Sequence, residues 1–121
     1  APSPVGHTAV VRGRLMELLA LETLPPEQAD LAFVAGIFSL LDVMLNMPMA
    51  SALGLLSLPE EISNALLRRE GFLGDLLTLA EACESSDDSV FDRKAGVLHL
   101  SSQQINLAHL QALAWADHLS D

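Results

Sequence analysis

The residues of this chain that could do chemistry are few: four histidines, one cysteine, and Ser39 and Asp42 set inside the apolar run "AFVAGIFSLLDVML" (Ala32 to Leu45). His7, His99, His109 and His118 never stand three or four residues apart, and none sits beside Cys83 or in an H-E-x-x-H pattern. Helical metal-ligand geometry is therefore unsupported. His109 lies beside the apolar stripe of the last helical segment, where a partly buried, hydrogen-bonded imidazole is expected. Ser39 lacks the G-x-S-x-G frame of a nucleophile elbow, and its hydroxyl is expected to bond the carbonyl four residues back, at Ala35. Asp87, Asp88 and Asp92 lack the glycine and spacing of a calcium loop, so they read as a solvated acidic stretch. Met44, Met47 and Met49 read as gap-filling core, with an adaptable partner surface as the other reading. No G-x-G-x-x-G or Walker pattern exists to hold a nucleotide.

The elements that must position these residues are helical. Val11, Leu15, Leu18 and Leu19 form one apolar stripe on a first helix. Pro25 and Pro26, followed by Glu27 and Asp30, open a second that is expected to run to about Asn46. It is apolar on nearly all sides, which predicts a buried central helix. Pro48 breaks the chain before a short third helix, and Ser57 with Glu60 forms an S-x-x-E capping box for a fourth. Arg68, Arg69 and Gly71 close that one. Leu73, Leu76, Leu77 and Ala80 share a face of a fifth helix. "ESSDDSVFDRKAG" is polar, charged and without period, which predicts a loop. Ser101 and Gln104 then cap a last helix whose stripe is Ile105, Ala108, Ala112, Trp115 and Leu119. With no alternating pattern longer than "GVLHL", the prediction is an all-α single domain of about five to six helices over residues 1–121.

Composition bounds the function. The chain has 121 residues, half of them hydrophobic and only 4% aromatic, which favours helices over sheets. Lys and Arg number 6 against 16 Asp and Glu, a formal charge of −10. Such a surface repels phosphate backbones and anionic headgroups, so nucleic acid and membrane are not expected partners. Leu31 to Leu45 falls short of the roughly 20 residues that span a bilayer and contains Asp42. A lone cysteine permits a reducing compartment, and the start "APSPVGHTAV" does not read as a signal peptide, so a cytoplasmic location is expected. That start lacks an initiating Met, as a processed or truncated end would.

The order of these signals resembles the HDOD domain, a non-catalytic relative of HD-type metal phosphohydrolases. The version that follows an EAL domain in bacterial signalling proteins is the most similar. "VVRGRLMELLA" (Val10 to Ala20), "AFVAGIFSLLDVMLNMPM" (Ala32 to Met49), "LSLPEEISNALLRREGFLGDLLTLAEACE" (Leu56 to Glu84) and "AHLQALAWADHL" (Ala108 to Leu119) carry the resemblance over nearly the whole chain. The family's domain is longer, so the chain resembles its C-terminal part, without the EAL half.

The resemblance implies that catalytic relatives carry A-G-L-L-H-D-I-G where this chain has "AGIFSLLD", with the His-Asp pair binding metal. Those positions fall here on Ser39 and Leu40. Leu has no ligand atom and a serine hydroxyl is a poor one. Asp42 stands about 200° around a helix from Leu40 and cannot substitute in place. No H-D dipeptide occurs, and the absence of Tyr excludes the G-Y-P motif of the cyclic-di-GMP-cleaving branch.

The expectation is a regulatory, protein-interaction module of bacterial cyclic-di-GMP signalling, without catalytic residues, metal or cofactor. Its partner is expected to be a protein, a second copy, or an upstream EAL domain in the parent, with Trp115, His109 and Asp117 as the candidate interaction surface. A divergent phosphohydrolase using Asp42, His109 and Asp117, and a helical self-assembly domain, are the rival readings.

Overall fold

A computed structural model describes residues 3–119. Among them are eight helices: α1 (Pro4–Leu21), α2 (Pro26–Phe38), α3 (Leu41–Leu45), α4 (Met49–Leu53), α5 (Glu60–Arg68), α6 (Gly71–Ser85), α7 (Asp88–Leu98) and α8 (Ser102–Leu119). The chain is all-helical, with no strand among the described residues. All the helices surround one core.

The hub is α1, not the second helix as the hydropathy predicted. It packs against α2, α8 and α6 and buries Leu15, Met16 and Leu19 completely. Ser3 caps its start by accepting a hydrogen bond from the Gly6 amide at 3.0 Å. α6 forms the opposite wall with Leu76, Leu77 and Leu79, while Ile62 of α5 and Ile105 of α8 close the remaining sides. α8 runs antiparallel to α1: His7 meets Asp117 at one end and Glu22 meets Gln104 at the other.

α2 buries only a small-residue face, Ala29, Ala32, Ala35 and Gly36. Gly36 crosses α1 at Gly13 so closely that a Cβ on Gly36 would lie 2.5 Å from the Gly13 Cα and amide nitrogen. The larger side chains of α2, Leu31, Val34, Ile37 and Phe38, are therefore left half-buried. The expected helix to Asn46 is two helices. The Ser39 amide bonds the Gly36 carbonyl three residues back, and Leu40 leaves helical geometry with φ −115° and ψ 18°. A Ser side chain that bonds its own preceding turn competes with the helical ladder at this point. Counted from Pro26, the apolar stretch reaches Leu45, 20 residues with mean hydropathy 1.6, so by length and composition it could cross a membrane. The length objection raised by the sequence fails, although the break at Ser39 and Leu40 divides the segment.

The segment predicted as a loop is mostly α7. Asp87 caps it by accepting from the Val90 amide at 3.1 Å, and Ala95 and Leu98 are buried. The Ser57–Glu60 box does not form: Pro59 precedes the first turn of α5 without a side-chain cap. The left-handed residue ending α5 is Arg69, and Gly71, at φ +71°, opens α6 instead of closing α5. The box at Ser101 and Gln104 does form, with reciprocal hydrogen bonds of 2.9 and 3.1 Å.

Two glycine substitutions separate close approach from simple flexibility. Gly36→Ala must displace the α1 backbone and should cost about 3 kcal/mol or more, the upper end of overpacking. Gly96→Ala, in α7 with nothing within 4 Å of the added methyl, should stabilise by about 0.5–1 kcal/mol. Urea midpoints of the two variants check the contrast. Equal midpoints would show that α1 and α2 do not touch at these glycines.

Candidate functional site

The close crossing at Gly13 and Gly36 carries the neighbouring side chains into contact. Arg12 precedes Gly13, and Ser39 follows Gly36 by three residues. The Arg12 Nη1 donates to the Ser39 Oγ at 3.2 Å, and that hydroxyl donates to the Gly36 carbonyl at 2.7 Å. The expected bond to Ala35 does not form. On its other side the Arg12 guanidinium donates twice to Glu84 of α6, Nε to Oε2 at 2.7 Å and Nη2 to Oε1 at 2.8 Å. This fork-to-fork pair is the strong form of a charge-assisted contact. It is also secluded, with the Arg12 side chain 10% and the Glu84 side chain 29% exposed. Burial works against the Arg12 charge, but the hydrogen bonds and charge of Glu84, with Glu81 and Asp42 behind it, outweigh burial and raise its pKa.

Arg12 is therefore the middle of a polar relay from Glu84 to Ser39, and Ser39 stands at the position where the resemblance expects a metal-ligating histidine. Its neighbour Leu40 is half-buried at the helix break. Asp42 contributes charge toward Arg12. Arg12 and Glu84, which sequence reasoning passed over, are the groups that define this locus. The available signal was an arginine one turn before Leu15 and Met16 in an otherwise apolar helix face.

Two open clefts share His109, and the second of them reaches the relay at Glu84. One, of about 280 Å³, lies between α6, α7 and α8 and is lined by Cys83, Phe91, Asp92, Asn106 and His109 among others. A second, of about 100 Å³, is lined by His7, Thr8, Glu84, His109 and Leu113. His109 thus borders both, and Asp117 reaches the second through His7, whose Nε2 lies 3.2 Å from the Asp117 Oδ1. His7 and Asp117 meet at one end of the α1–α8 pair, and His109 shares the second cleft with His7. Trp115 does not join them. Its half-buried ring packs edge-on to Phe33 of α2, centroids 6.0 Å apart, under the Arg14 guanidinium at 5.1 Å. The inner stripe of α8, Ile105, Ala108, Ala112 and Ala116, is buried within the chain. Of the stripe read in the sequence, Ile105, Ala108 and Ala112 are thus buried, Trp115 is half-buried and Leu119 is exposed.

No three His, Cys, Asp or Glu side chains among the described residues are placed to hold a metal ion. Asp42, His109 and Asp117, the residues of the phosphohydrolase reading, form no such group. Cys83 is not an activated nucleophile. Burial, with the Glu84 charge adding to it, pushes its thiol up to about 11.

Sequence comparison adds a context. The chain is 26% identical over 119 residues to the cyclic di-GMP phosphodiesterase CdgJ of Vibrio cholerae, covering 98% of this chain and 28% of that protein. It is 28% identical over 113 residues to the uncharacterized protein YuxH of Bacillus subtilis, covering 93% of this chain and 27% of that one. The chain thus spans little more than a quarter of the length of these curated relatives. No family profile matches it, and no solved structure does.

The relay sets an order of stabilities. Ser39→Ala strips Arg12 and the Gly36 carbonyl of a shared partner and should cost about 2 kcal/mol, as for a hydrogen bond to a charged group. Glu84→Leu strands the guanidinium and should cost more. Arg12→Met with Glu84→Leu should recover much of the loss, since an apolar pair replaces a buried ion pair cheaply. Denaturant unfolding of the three variants checks the order. A double variant less stable than Glu84→Leu would contradict it.

Cys83 gives a second readout. Its raised pKa favours folding fully below the unfolded value of about 9, and that contribution is lost as pH rises through about 11. At pH 8 the native thiol should therefore react with a disulfide reagent far more slowly than the urea-unfolded chain. Equal rates would show that it is not shielded.

Proposed function

We propose that this chain is a non-catalytic regulatory module of cyclic-di-GMP signalling, an HDOD-like portion of a longer bacterial protein that acts through contact with protein. The observation that carries the reading is the Glu84–Arg12–Ser39 relay. The position at which the resemblance puts a metal-ligating histidine holds a serine already hydrogen-bonded to a buried guanidinium. A fixed positive charge there opposes a divalent cation, and its compensating carboxylate, Glu84, is consumed in the pair.

The similarity to a protein named a cyclic di-GMP phosphodiesterase supports the signalling context. In this reading the named activity belongs to the part of that protein outside the matched 28%, in an EAL domain upstream of the HDOD-like portion. The module itself takes no metal or cofactor and works in the cytoplasm. Charge supports a protein partner over nucleic acid. Arg12, Arg14, Arg68, Arg69 and Lys94 each sit in an ion pair, which accounts for five of the six Lys and Arg. Phosphate contacts need cations that this surface does not offer.

Elemental analysis of the chain purified without chelator, together with a cyclic di-GMP hydrolysis assay, tests the reading. The expected result is metal far below one per chain and no hydrolysis. Near-stoichiometric manganese, iron, nickel or zinc, lost in Asp42→Asn, or hydrolysis lost in the same variant, would overturn it.

A further inference from the structure

The joint between α2 and α3 has no breaker in its sequence. From Ile37 to Leu45 there is neither proline nor glycine, and Leu and Met are good helix formers. Yet Leu40 lies outside helical geometry at φ −115° and ψ 18°, and the helix resumes at once with α3. The cause is local. The Gly36 carbonyl accepts twice, from the Ser39 amide at 3.2 Å and from the Ser39 Oγ at 2.7 Å. A carbonyl oxygen has two lone pairs, so it has none left for the Leu40 amide, which a continuous α-helix would seat there. Arg12 holds the hydroxyl in that role. Its Nη1 donates to the Ser39 Oγ, which leaves the hydroxyl proton to turn toward Gly36. Glu84 in turn holds Arg12 by accepting two hydrogen bonds.

Beyond the joint, little anchors the arm. α3 buries no residue. Val43, Met44 and Leu45 are 54%, 46% and 43% exposed and, with Leu55 and Leu56 just past α4, make the exposed apolar corner of the molecule. Half-buried Leu41 is the contact of α3 with the core. The arm is about 7.5 Å long, and the segment Asn46 to Pro48 can span up to about 10 Å. It can therefore swing while buried Ala52 and Leu53 keep α4 in place. We infer that the α2–α3 joint is a two-state hinge latched by the Arg12–Ser39 contact. Latched, it stays broken at Leu40; released, α2 and α3 join into one helix from Pro26 to Leu45. Glu84 sets the latch. Because Glu84 also lines the cleft that His7 and His109 border, a cation that competes for it there favours the released state and reorients α3. The inference stands apart from the function proposed above, since distances within the chain test it and metal content and hydrolysis do not.

Pulsed electron paramagnetic resonance between spin labels at Glu27→Cys and Met44→Cys tests it, in the full chain carrying Cys83→Ala. Both labelled positions are exposed, and the third substitution leaves no other thiol. In one continuous helix the two backbones stand about 26 Å apart, and a break at Leu40 brings them closer. The chain with Ser39 intact is expected to show the shorter distance. Ser39→Ala frees a lone pair of the Gly36 carbonyl and should shift the distance to about 26 Å. Ser39→Thr keeps the hydroxyl and should keep the shorter distance. Glu84→Gln, which loosens Arg12 without removing its hydrogen-bond acceptor, should show both distances together. Circular dichroism confirms that each variant folds, and where Ser39→Ala does not, Glu84→Gln decides. An unchanged distance in folded Ser39→Ala, or a single unchanged distance in Glu84→Gln, would overturn the inference. So would a shift in Ser39→Thr as large as that in Ser39→Ala.

Discussion

The contact between Gly13 and Gly36 sets the distance between α1 and α2, and most of the structure follows from that distance. A Cβ on either glycine would run into the partner helix, so the two backbones meet with nothing between them. Side chains one position and three positions away are then forced together. Arg12 cannot reach solvent along the crossing and finds Ser39 and Glu84 instead. Ser39, drawn toward both Arg12 and the Gly36 carbonyl, sits where α2 ends and the chain turns into α3. A single steric condition therefore positions the buried ion pair, the helix break and the direction of the segment that follows.

The ion pair is an arrangement of specificity more than of strength. Two charged groups lose hydration on entering a partly buried site, and their attraction does little more than offset that loss. What the pair does fix is register, since Arg12 has its forked partner only when α6 presents Glu84 at this height. The remaining ion pairs among the described residues link neighbours along the chain or adjacent helices, such as Arg68 with Glu70 and Arg69 with Glu81. Exposed pairs of this kind contribute little individually. Their larger effect is on the surface, because each removes a cation that a partner could have used.

Helical period exposed much of this architecture in the sequence, and local chemistry misled in three places. The stripes Val11–Leu15–Leu19 and Leu73–Leu76–Leu77–Ala80 are core positions as read, because a stripe of large residues can be satisfied only by burial. Hydrophobicity on all sides of residues 31–45 suggested the central helix, whereas burial there follows residue size at the crossing, which hydropathy does not encode. In residues 87–98 the weak period Phe91–Ala95–Leu98 was hidden among charges, although Asp87 was a legible cap. The relay was invisible for a different reason. Arg12, Ser39 and Glu84 are far apart in sequence, and no spacing rule joins residues that only a tertiary crossing brings together. His109 beside His7 is the same case.

The exposed apolar corner is the other face of that small-residue packing. α2 offers α1 Ala29, Ala32, Ala35 and Gly36, and α8 buries Ala108, Ala112 and Ala116, so both helices can approach closely with modest side chains. Close approach improves dispersion contacts between backbones but leaves little interior volume for large residues. A chain that is half hydrophobic must then carry part of its Leu, Val and Met outward, as α3, the turn after α4 and the outer face of α8 do. Acidic residues offset such exposure by repulsion between copies, and Asp42 and Glu60 flank the uncharged stretch that carries Val43, Met44, Leu45, Leu55 and Leu56.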